Sequence, residues 1–218
     1  MSGDRAQKIM EILRRSFSLP EWITSNRDPF ETLIVTIISQ NTADRNTKRA
    51  FENLSRKFLI TPEALANADV REIEECLKSA GLYRNKARVI KEISRIILEK
   101  YNGSLNPIIK KPLEESRKTL MELPGVGPKT ADVILLFSGG KPTIPVDTHV
   151  KRVSKRLGLA PNNGGYEDVR KALQSLFKPE DYLDAHVLLI SLGRKYCRAR
   201  NPHCRECPLR ILCPSRSD

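Results

Sequence analysis

The amino-acid sequence predicts an all-α fold. Apolar residues recur at the three- and four-residue spacing of an amphipathic helix through most of the 218-residue chain. Helix-start signals precede these segments, and breaks containing glycine or asparagine follow several of them. No two segments show the alternating pattern of a convincing strand pair, and the sequence contains neither internal repeats nor low-complexity tracts. Almost every segment is therefore expected to be helical.

The first half of the chain contains three clear helix-start signals. Residues 28–31, Asp-Pro-Phe-Glu, form a capping box with proline at the first helical position, and the apolar run that follows reaches Ile38. Thr-Pro at 61–62 and Asp-x-x-Glu at 69–72 begin two further helices. Gly81 is expected to close the second of these two helices.

The remaining helices follow in order along the chain. A long basic helix is predicted over 84–101, where isoleucine and valine recur on one side, and Asn-Gly at 102–103 ends it. A helix over 113–121, a glycine-rich turn and a helix over 129–137 come next. The sequence Ser-Gly-Gly-Lys-Pro at 138–142 is the clearest break in the chain. Beyond it, helices are predicted near 148–157, 166–177 and 180–194.

Composition indicates a folded protein with a polyanionic partner. Hydrophobic residues make up 39% of the chain, which is enough for a core, and the formal net charge is +12 with a pI near 9.7. The basic residues are spread through the predicted helices rather than gathered in one amphipathic tail, which favours nucleic acid over an acidic membrane surface. Aromatic residues make up only 6% of the chain, so base stacking in the manner of single-strand binders is not expected.

The sequence shows no sign of a membrane protein. No segment approaches the ~18 consecutive apolar residues that a membrane-spanning helix needs. The N-terminus also lacks the apolar core of a signal peptide. We therefore expect an intracellular, cytoplasmic protein that is monomeric and has no membrane partner.

The most informative segment is 123–132, Leu-Pro-Gly-Val-Gly-Pro-Lys-Thr-Ala-Asp, a tight turn that leads directly into a helix. Gly125 and Gly127 allow a sharp bend and a close approach to another surface, and the first amides of the helix bind phosphate readily. Lys129 lies at the positive end of the helix dipole, which favours a neutral amine able to attack carbon. Taken alone, the segment also fits a plain connection between helices with a solvated lysine.

Asp147 lies 18 residues beyond Lys129, after a short apolar approach and before a new amphipathic segment. Its position predicts the N-cap of the helix near 148–157. An N-cap carboxylate is held ionised by the amides from which it accepts, and proton transfer beside an amine requires such a fixed carboxylate. Asp147 is therefore a candidate for capping and for catalysis.

Four of the five cysteines fall in the last 22 residues, with the spacing Cys-x6-Cys-x2-Cys-x5-Cys. Clustered thiols in an intracellular protein indicate metal binding rather than disulfides. Four-cysteine zinc sites usually contain two close pairs, whereas only one pair is close here, so the spacing favours a bulky iron–sulfur cluster over zinc. Cys76, on the apolar face of a predicted helix, is expected in the core. The candidate ligands are Cys197, Cys204, Cys207 and Cys213.

The segments 123–129 and 146–149 and the C-terminal cysteines together resemble the helix-hairpin-helix DNA glycosylases, and the full match is to the endonuclease III branch. The resemblance implies that Lys129 attacks the sugar C1′ of a damaged nucleotide. It implies that Asp147 supports departure of the base and the later proton transfers. The cysteine spacing is that of the family's cluster loop, which implies a [4Fe–4S] cofactor on the four cysteines.

The resemblance also implies the architecture. A six-helix barrel containing the helix-hairpin-helix is expected over 26–137. A second helical domain, which carries a C-terminal iron–sulfur cluster loop, is expected from 1–25 together with 138–218. In this arrangement Lys129 and Asp147 lie on opposite walls of an interdomain cleft, a common place for an active site.

A base in a duplex is reached only after it is flipped out, which costs about a few kcal/mol and leaves a gap. The family fills this gap with a leucine, matched by Leu82, and a glutamine that commonly stands three residues before an aspartate. Here that position before Asp44 is Asn41, with Gln40 just before it, and both are candidates. Both loops also fit ordinary helix-end contacts. Further DNA contacts are expected from Gly125, Val126, Gly127, Thr130 and His149.

Together these features predict a bifunctional DNA glycosylase and apurinic/apyrimidinic lyase of base excision repair. Its expected partner is double-stranded DNA containing a damaged base, expected to be an oxidised pyrimidine, or an abasic site. The chemistry would proceed through a Schiff base on Lys129 and β-elimination. The alternatives are a glycosylase for mismatched thymine or uracil, a non-catalytic helix-hairpin-helix DNA-binding module and a zinc-bearing nucleic-acid adaptor.

Overall fold

The computed structural model describes residues 3–19 and 28–217, and the regular elements of these residues are all helical, as predicted. Every helix within these ranges is too short or too polar to cross a lipid bilayer. Short 3₁₀ turns occur at Pro179–Asp181 and Arg210–Leu212. The α-helices of the described residues are α1 (Gly3–Ser16), α2 (Pro29–Ser39), α3 (Asp44–Lys57), α4 (Pro62–Asn67), α5 (Val70–Leu77), α6 (Tyr83–Tyr101), α7 (Asn106–Ile109), α8 (Leu113–Met121), α9 (Pro128–Phe137), α10 (Thr148–Arg156), α11 (Tyr166–Leu176) and α12 (Tyr182–Lys195).

The chain forms two compact units. Of the described residues, 28–141 form the first, which we call the hairpin unit, and 3–19 with 142–217 form the second, the cysteine unit. The sequence predicts the later boundary between residues 137 and 138, whereas the units divide between Lys141 and Pro142. The predicted earlier boundary, between residues 25 and 26, lies outside the described residues.

Side-chain caps explain where several helices begin. Asp28 accepts hydrogen bonds from two first-turn amides of α2, at 2.8 and 3.2 Å. Thr61 caps α4 at 3.2 Å and Asp69 caps α5 at 2.8 Å. Each of these starts agrees with the prediction, and a cap of this kind typically contributes ~1 kcal/mol. At the other end of α6, Asn102 adopts the left-handed conformation that closes the helix.

The prediction that Gly81 closes α5 is wrong. The helix ends at Leu77, and a hydrogen bond of 2.8 Å from the amide of Ala80 to the carbonyl of Leu77 turns the chain before Gly81 is reached. Leu82, rather than Gly81, adopts the left-handed conformation, with φ 57°. Gly81 favours a close approach instead, because a Cβ atom there would lie 3.0 Å from the carbonyl oxygen of Asn41, a tight contact. The glycine lets two loops approach each other.

The core of the hairpin unit consists mainly of aliphatic side chains contributed by the helices from α2 to α9, together with Phe30 of α2. The most apolar of these is α2, which packs against α3, α6 and α9. Cys76 belongs to this core with 7% of its surface exposed, as the sequence predicts. The core holds the hairpin between α8 and α9 on a rigid frame.

In the cysteine unit, α10 packs against α11 and α12, and α1 packs against α12. Arg14 of α1 forms ion pairs with Asp181 at 2.6 Å and with Asp184 at 2.8 Å. The N-terminal helix therefore packs with the C-terminal helices, a pairing that periodicity alone does not reveal. The inward-facing residues of α1 are Ala6, Ile9, Met10 and Leu13.

Candidate active site

The hairpin between α8 and α9 has the glycine geometry that its sequence indicates. Gly125 has φ 73°, and a Cβ atom there would lie 2.8 Å from Cγ1 of Val89. Both the dihedral angle and the packing therefore require glycine. Gly127, the N-cap residue of α9, is extended, and within the part of the chain that the structure describes no heavy atom other than those of its chain neighbours lies within 4 Å of its Cβ position. The start of α9 is thus open to the close approach of a ligand backbone.

Lys129 occupies the first turn of α9, two residues after the N-cap, and its side chain is half-buried. The amides of this turn have no acceptor inside the helix, so an anion is favoured beside them. Two further residues expected to contact DNA, Val126 and Thr130, are only 6% and 4% exposed. Any contact that these two make with DNA would therefore involve their backbone atoms.

A buried ion pair that the sequence analysis missed fixes the two hairpin helices to each other. Nε of Arg117 on α8 lies 2.8 Å from Oδ1 of Asp132 on α9, and Nη2 lies 3.3 Å from Oδ2. The two side chains are 6% and 0% exposed. Asp132 follows Lys129 by three residues, so the pair also fixes the turn that carries the lysine. An acid within the apolar segment of α9 is the signal that points to such a partner.

Asp147 in the cysteine unit is the N-cap of α10, as predicted. Its Oδ1 accepts a hydrogen bond from the amide of Val150 at 2.7 Å. The segment before it is also held, because the hydroxyl of Tyr166 accepts from the preceding amide at 3.3 Å and Nδ1 of His186 lies 2.8 Å from the carbonyl oxygen of Pro145. A carbonyl only accepts, so this nitrogen carries the proton. The carboxylate is therefore fixed in direction by its own helix and by two neighbours.

His149 lies in the first turn of α10 and is held as a neutral ring. Nη2 of Arg152 lies 3.1 Å from its Nδ1, and a guanidinium only donates, so Nδ1 accepts and Nε2 carries the proton. Burial is the main cause that lowers the pKa of His149; the charge of Arg152 lowers it further, and Asp147 opposes the shift. Gly193 of α12 is close to the same part of the ring, because a Cβ atom there would lie 3.0 Å from Nδ1 of His149. As a DNA contact, this histidine would act through its Nε2 donor.

The two loops with the candidate gap-filling residues both belong to the hairpin unit. Nε2 of Gln40 donates to the carbonyl oxygen of Gly125 at 3.0 Å and lies 3.5 Å from the hydroxyl of Thr130. Asn41 is exposed, with φ 51°. Leu82 is 64% exposed, so its side chain is not a hydrophobic contact behind a helix cap. Gln40 thus contacts the hairpin, while Asn41 and Leu82 present their side chains to solvent.

The four C-terminal cysteines line one pocket in the cysteine unit, whose lining also includes Arg156. Burial raises the pKa of the Cys207 and Cys213 thiols, whereas a hydrogen bond with Ser217 is the main cause that lowers the pKa of Cys204. Nη1 of Arg156 lies 3.5 Å from Sγ of Cys197.

The spacing of these thiols bears on the kind of metal group they fit. Within residues 3–19 and 28–217, no three His, Cys, Asp or Glu side chains lie close enough together to hold one metal ion. Zinc binds thiolates at about 2.3 Å, which would bring the four sulfur atoms within about 4 Å of each other. An iron–sulfur cluster is larger and has a separate iron for each thiolate. The four thiols that line this pocket are donors that either kind of group uses.

Helix α10 links the segment from Cys197 to Cys213, which we call the cysteine loop, to the segment that contains Asp147. Nε of Arg152 donates to the carbonyl oxygen of Cys197 at 2.9 Å. Arg156, one turn further, donates to the carbonyl oxygens of Arg198 and Ala199 at 2.6 and 3.1 Å. Neither arginine was among the predicted site residues, because their acceptors are backbone atoms about 40 residues away that leave no sequence signal. The cysteine loop is thus attached to the helix that Asp147 caps.

Comparisons with known proteins agree with this description. Residues 34–179 match the family model described as HhH-GPD superfamily base excision DNA repair protein. The chain is 39% identical over 193 residues to endonuclease III of Bacillus subtilis, covering 88% of this chain and 83% of the relative. It is 35% identical over 213 residues to endonuclease III of Escherichia coli, covering 98% and 96%. A solved structure of a trapped endonuclease III–DNA covalent intermediate matches with a TM-score of 0.85 at 34% identity, covering 99% of this chain and 97% of the other.

An all-helical chain with this hairpin and this first-turn lysine is a helix-hairpin-helix base excision repair protein, and the family model agrees over two thirds of its length. Within that superfamily the chain belongs to the endonuclease III family. It is therefore an enzyme, a DNA glycosylase and abasic-site lyase. The predicted family, fold class and enzyme class are confirmed.

Proposed function

We propose that the chain excises oxidised pyrimidines from duplex DNA and then cleaves the strand at the resulting abasic site. The observation that carries the proposal is Lys129 in the first turn of α9, directly after a hairpin whose Gly127 leaves the helix start open. The related trapped structure, a covalent complex of endonuclease III with DNA, supports both duplex DNA as the partner and covalent chemistry. A formal charge of +12 favours association with a polyanion.

Lys129 acts as the nucleophile. Its neutral amine attacks C1′ of the damaged nucleotide, and the bond between C1′ and the base breaks with its electron pair leaving on the base, which takes up a proton. Opening of the sugar ring and loss of the amine proton give a Schiff base between Nζ and C1′. Removal of a C2′ proton then expels the 3′ phosphate by β-elimination, and water releases the lysine. The helix dipole at the start of α9 disfavours the ammonium form and so favours the attacking amine.

Asp147 serves as the fixed carboxylate of this chemistry. It stabilises the positive charge that develops on the sugar as the base leaves, and it relays protons in the later steps. The hydrogen bond from Val150 leaves one of its two oxygens for this purpose. The contacts of Tyr166 and His186 with the preceding segment keep the carboxylate from turning away.

The hairpin holds the DNA backbone, and two side chains fill the gap in the duplex. The open amides at the start of α9 bind phosphate, and Gly127 lets the backbone approach. We assign the gap-filling amide to Asn41, because it is exposed, whereas the amide of Gln40 is bound to the carbonyl oxygen of Gly125. Leu82 fills the other side of the gap with an exposed apolar side chain.

We assign a [4Fe–4S] cluster to the four C-terminal cysteines. Their sequence spacing and the single pocket that they line support this assignment. When bound, such a cluster supplies no bond-breaking chemistry to base excision and serves to order the loop. Arg152 and Arg156 hold that loop to α10 through its backbone carbonyls, so the fold of the loop and the position of Asp147 depend on the same helix.

The test is a panel of duplexes carrying an oxidised pyrimidine, thymine opposite guanine, uracil opposite guanine or no lesion, each incubated with the protein with and without borohydride. We expect base release, strand cleavage and a borohydride-trapped protein–DNA adduct with the oxidised pyrimidine. Release of the mismatched bases alone would instead identify a mismatch glycosylase. Binding without release or trapping on any duplex would identify a non-catalytic module and overturn the proposal.

A further inference from the structure

Lys86 is a buried lysine whose ammonium group has a complete set of hydrogen bonds. It lies near the start of α6 and is only 4% exposed. Its Nζ donates to the carbonyl oxygens of Ile38 at 2.8 Å and Gln40 at 2.6 Å, and to the hydroxyl of Thr42 at 2.6 Å. An ammonium has three donors, and here each finds one acceptor. The contacts therefore match the charged form, although burial lowers the pKa of Lys86.

The three acceptors belong to the end of α2 and to the loop that follows it. Carbonyls at the end of a helix lack partners inside the helix, and the helix dipole favours a cation there. The last turn of α2 contains no basic residue of its own. Lys86 supplies that cation from a different helix, and in doing so it attaches the loop to α6.

Lys86 also contacts the loop that contains Leu82. The backbone amide of Lys86 donates to the carbonyl oxygen of Leu82 at 3.1 Å, while its side chain holds the segment 38–42. Between the two loops, Gly81 lets the backbone of Asn41 come close. Lys86 thus fixes the two loops that present Asn41 and Leu82 relative to each other.

Both exposed residues have backbone conformations that need support. Asn41 has φ 51° and Leu82 has φ 57°, in the left-handed region. For a leucine this conformation costs on the order of 1 kcal/mol or more, and it persists only where the surroundings enforce it. The hydrogen bonds of Lys86 to both loops contribute to that enforcement.

We propose that Lys86 is a positioning residue that sets Asn41 and Leu82 in place for insertion into the gap left by a flipped nucleotide. This inference rests on the proposed function, because it requires that the chain flips a nucleotide. Three directed hydrogen bonds fix a loop, whereas an apolar side chain of similar length would fill the space without fixing it. A loop that is ordered before binding loses less conformational entropy when it enters the DNA.

The chain offers a matched control on the same helix. Lys91 of α6 donates through Nζ to the carbonyl oxygens of Ala66 at 2.8 Å and Ala68 at 2.5 Å, at the end of α4. Lys91→Met therefore removes the same kind of helix-end contact as Lys86→Met, but not at the gap-filling loops. Both variants are expected to be less stable than the wild type by a similar amount in urea unfolding.

Two measurements separate positioning from stability. The first is the rise in fluorescence of 2-aminopurine placed opposite the lesion, at saturating protein and at a temperature where both variants are folded. The second is the single-turnover rate on the lesion divided by the rate on a preformed abasic site. We expect Lys86→Met to lower that ratio by about tenfold or more and to reduce the fluorescence rise. The reason is that a small displacement of Asn41 and Leu82 from their positions for insertion lowers the reaction rate by a large factor. Lys91→Met should leave both readouts at the wild-type level.

Equal values of both readouts for Lys86→Met and Lys91→Met would overturn the proposal. Should Lys86→Met fail to fold, Thr42→Val removes one of the three acceptors without changing the lysine, and it should move both readouts in the same direction by a smaller factor. No change in Thr42→Val would then count against the proposal. Failure of the proposed function itself would be distinct, because the wild-type protein would give neither a fluorescence rise nor a trapped adduct.

Discussion

Arg117 and Asp132 form a buried bidentate ion pair between the two helices of the hairpin, with donor–acceptor distances of 2.8 and 3.3 Å. Neither carboxylate oxygen of Asp132 is exposed, and the arginine is 6% exposed. Breaking such a pair leaves one charge without its partner in the interior, while replacing both partners does not. Substitutions at Arg117 and Asp132 therefore test whether this ion pair stabilises the hairpin.

Arg117→Met should lower the free energy of unfolding by about 3–5 kcal/mol, because the buried carboxylate of Asp132 would lose its bidentate contact with the guanidinium. The double substitution Arg117→Met and Asp132→Leu should recover a large part of that loss. Urea unfolding of the two single variants and the double variant gives the coupling energy. Additive losses in the double variant would show that the ion pair does not couple α8 to α9.

Lys129→Gln should abolish strand cleavage and borohydride trapping while binding to lesion-bearing DNA is retained. Glutamine keeps much of the length of lysine but has no nucleophilic amine. The measurements are trapping on abasic DNA and a binding titration of the same duplex. Lys178→Gln, a change at an exposed lysine before the 3₁₀ turn, is the charge-matched control and should trap like the wild type. Trapping of Lys129→Gln at the wild-type rate would exclude Lys129 as the nucleophile.

Asp147→Asn separates capping from catalysis. Asparagine caps a helix about as well as aspartate, so the unfolding free energy should change little. The negative charge is lost, however, and turnover should fall by about 10²-fold or more. Single-turnover kinetics and urea unfolding are measured on the same preparation. A loss of stability that accounts for the whole loss of activity would restrict Asp147 to its structural role.

His149 gives a pH-dependent prediction. Burial and Arg152 keep its pKa in the folded protein below the ordinary value of 6.5. Above pH 6.5 the ring of His149 is unprotonated in the folded and in the unfolded protein. As the pH falls through 6.5, the ring takes up a proton in the unfolded chain but not in the folded one. The unfolding free energy should therefore decrease as the pH falls below 6.5, until the lower folded pKa is reached.

Two measurements check this expectation for His149. An NMR titration of the ring should give a pKa below that of an exposed histidine, and Arg152→Met should raise it. Unfolding at pH 7 and pH 5 should show a smaller acid destabilisation in His149→Gln than in the wild type, since glutamine does not titrate. An ordinary or raised pKa in the folded protein would contradict the contact with Arg152.

Local signals predicted most of the helices, the N-cap at Asp147 and the turn at Gly125, because caps and turns depend on neighbouring residues. Asp28, Thr61 and Asp147 each accept from amides of their own helix, so a few residues of sequence contain the whole interaction. The turn at Gly125 was also predictable from the neighbouring residues. The contact with Val89, which independently excludes a side chain at this position, was not.

The contacts that the sequence did not reveal join residues far apart in the chain. Arg117 meets Asp132 across the hairpin, and Lys86 reaches backbone carbonyls at the end of α2. A lysine or arginine that donates to a carbonyl needs no particular residue as its acceptor, so no sequence pattern marks the pair. The proposal that Asn41 rather than Gln40 fills the gap likewise draws on a long-range contact, the hydrogen bond from the amide of Gln40 to the carbonyl of Gly125.

The four C-terminal cysteines are expected to determine the iron content of the protein. Replacement of Cys197 by serine should reduce the iron and sulfide content of anaerobically purified protein and disorder the loop, because the first ligand and its contact with Arg156 are both changed. Cys76→Ala is the matched control: this thiol is buried in the core of the hairpin unit, so its loss should lower stability slightly and leave the iron content unchanged. Iron and sulfide analysis with the visible absorption spectrum checks both variants. Stoichiometric zinc without iron in the wild-type protein would overturn the cluster assignment.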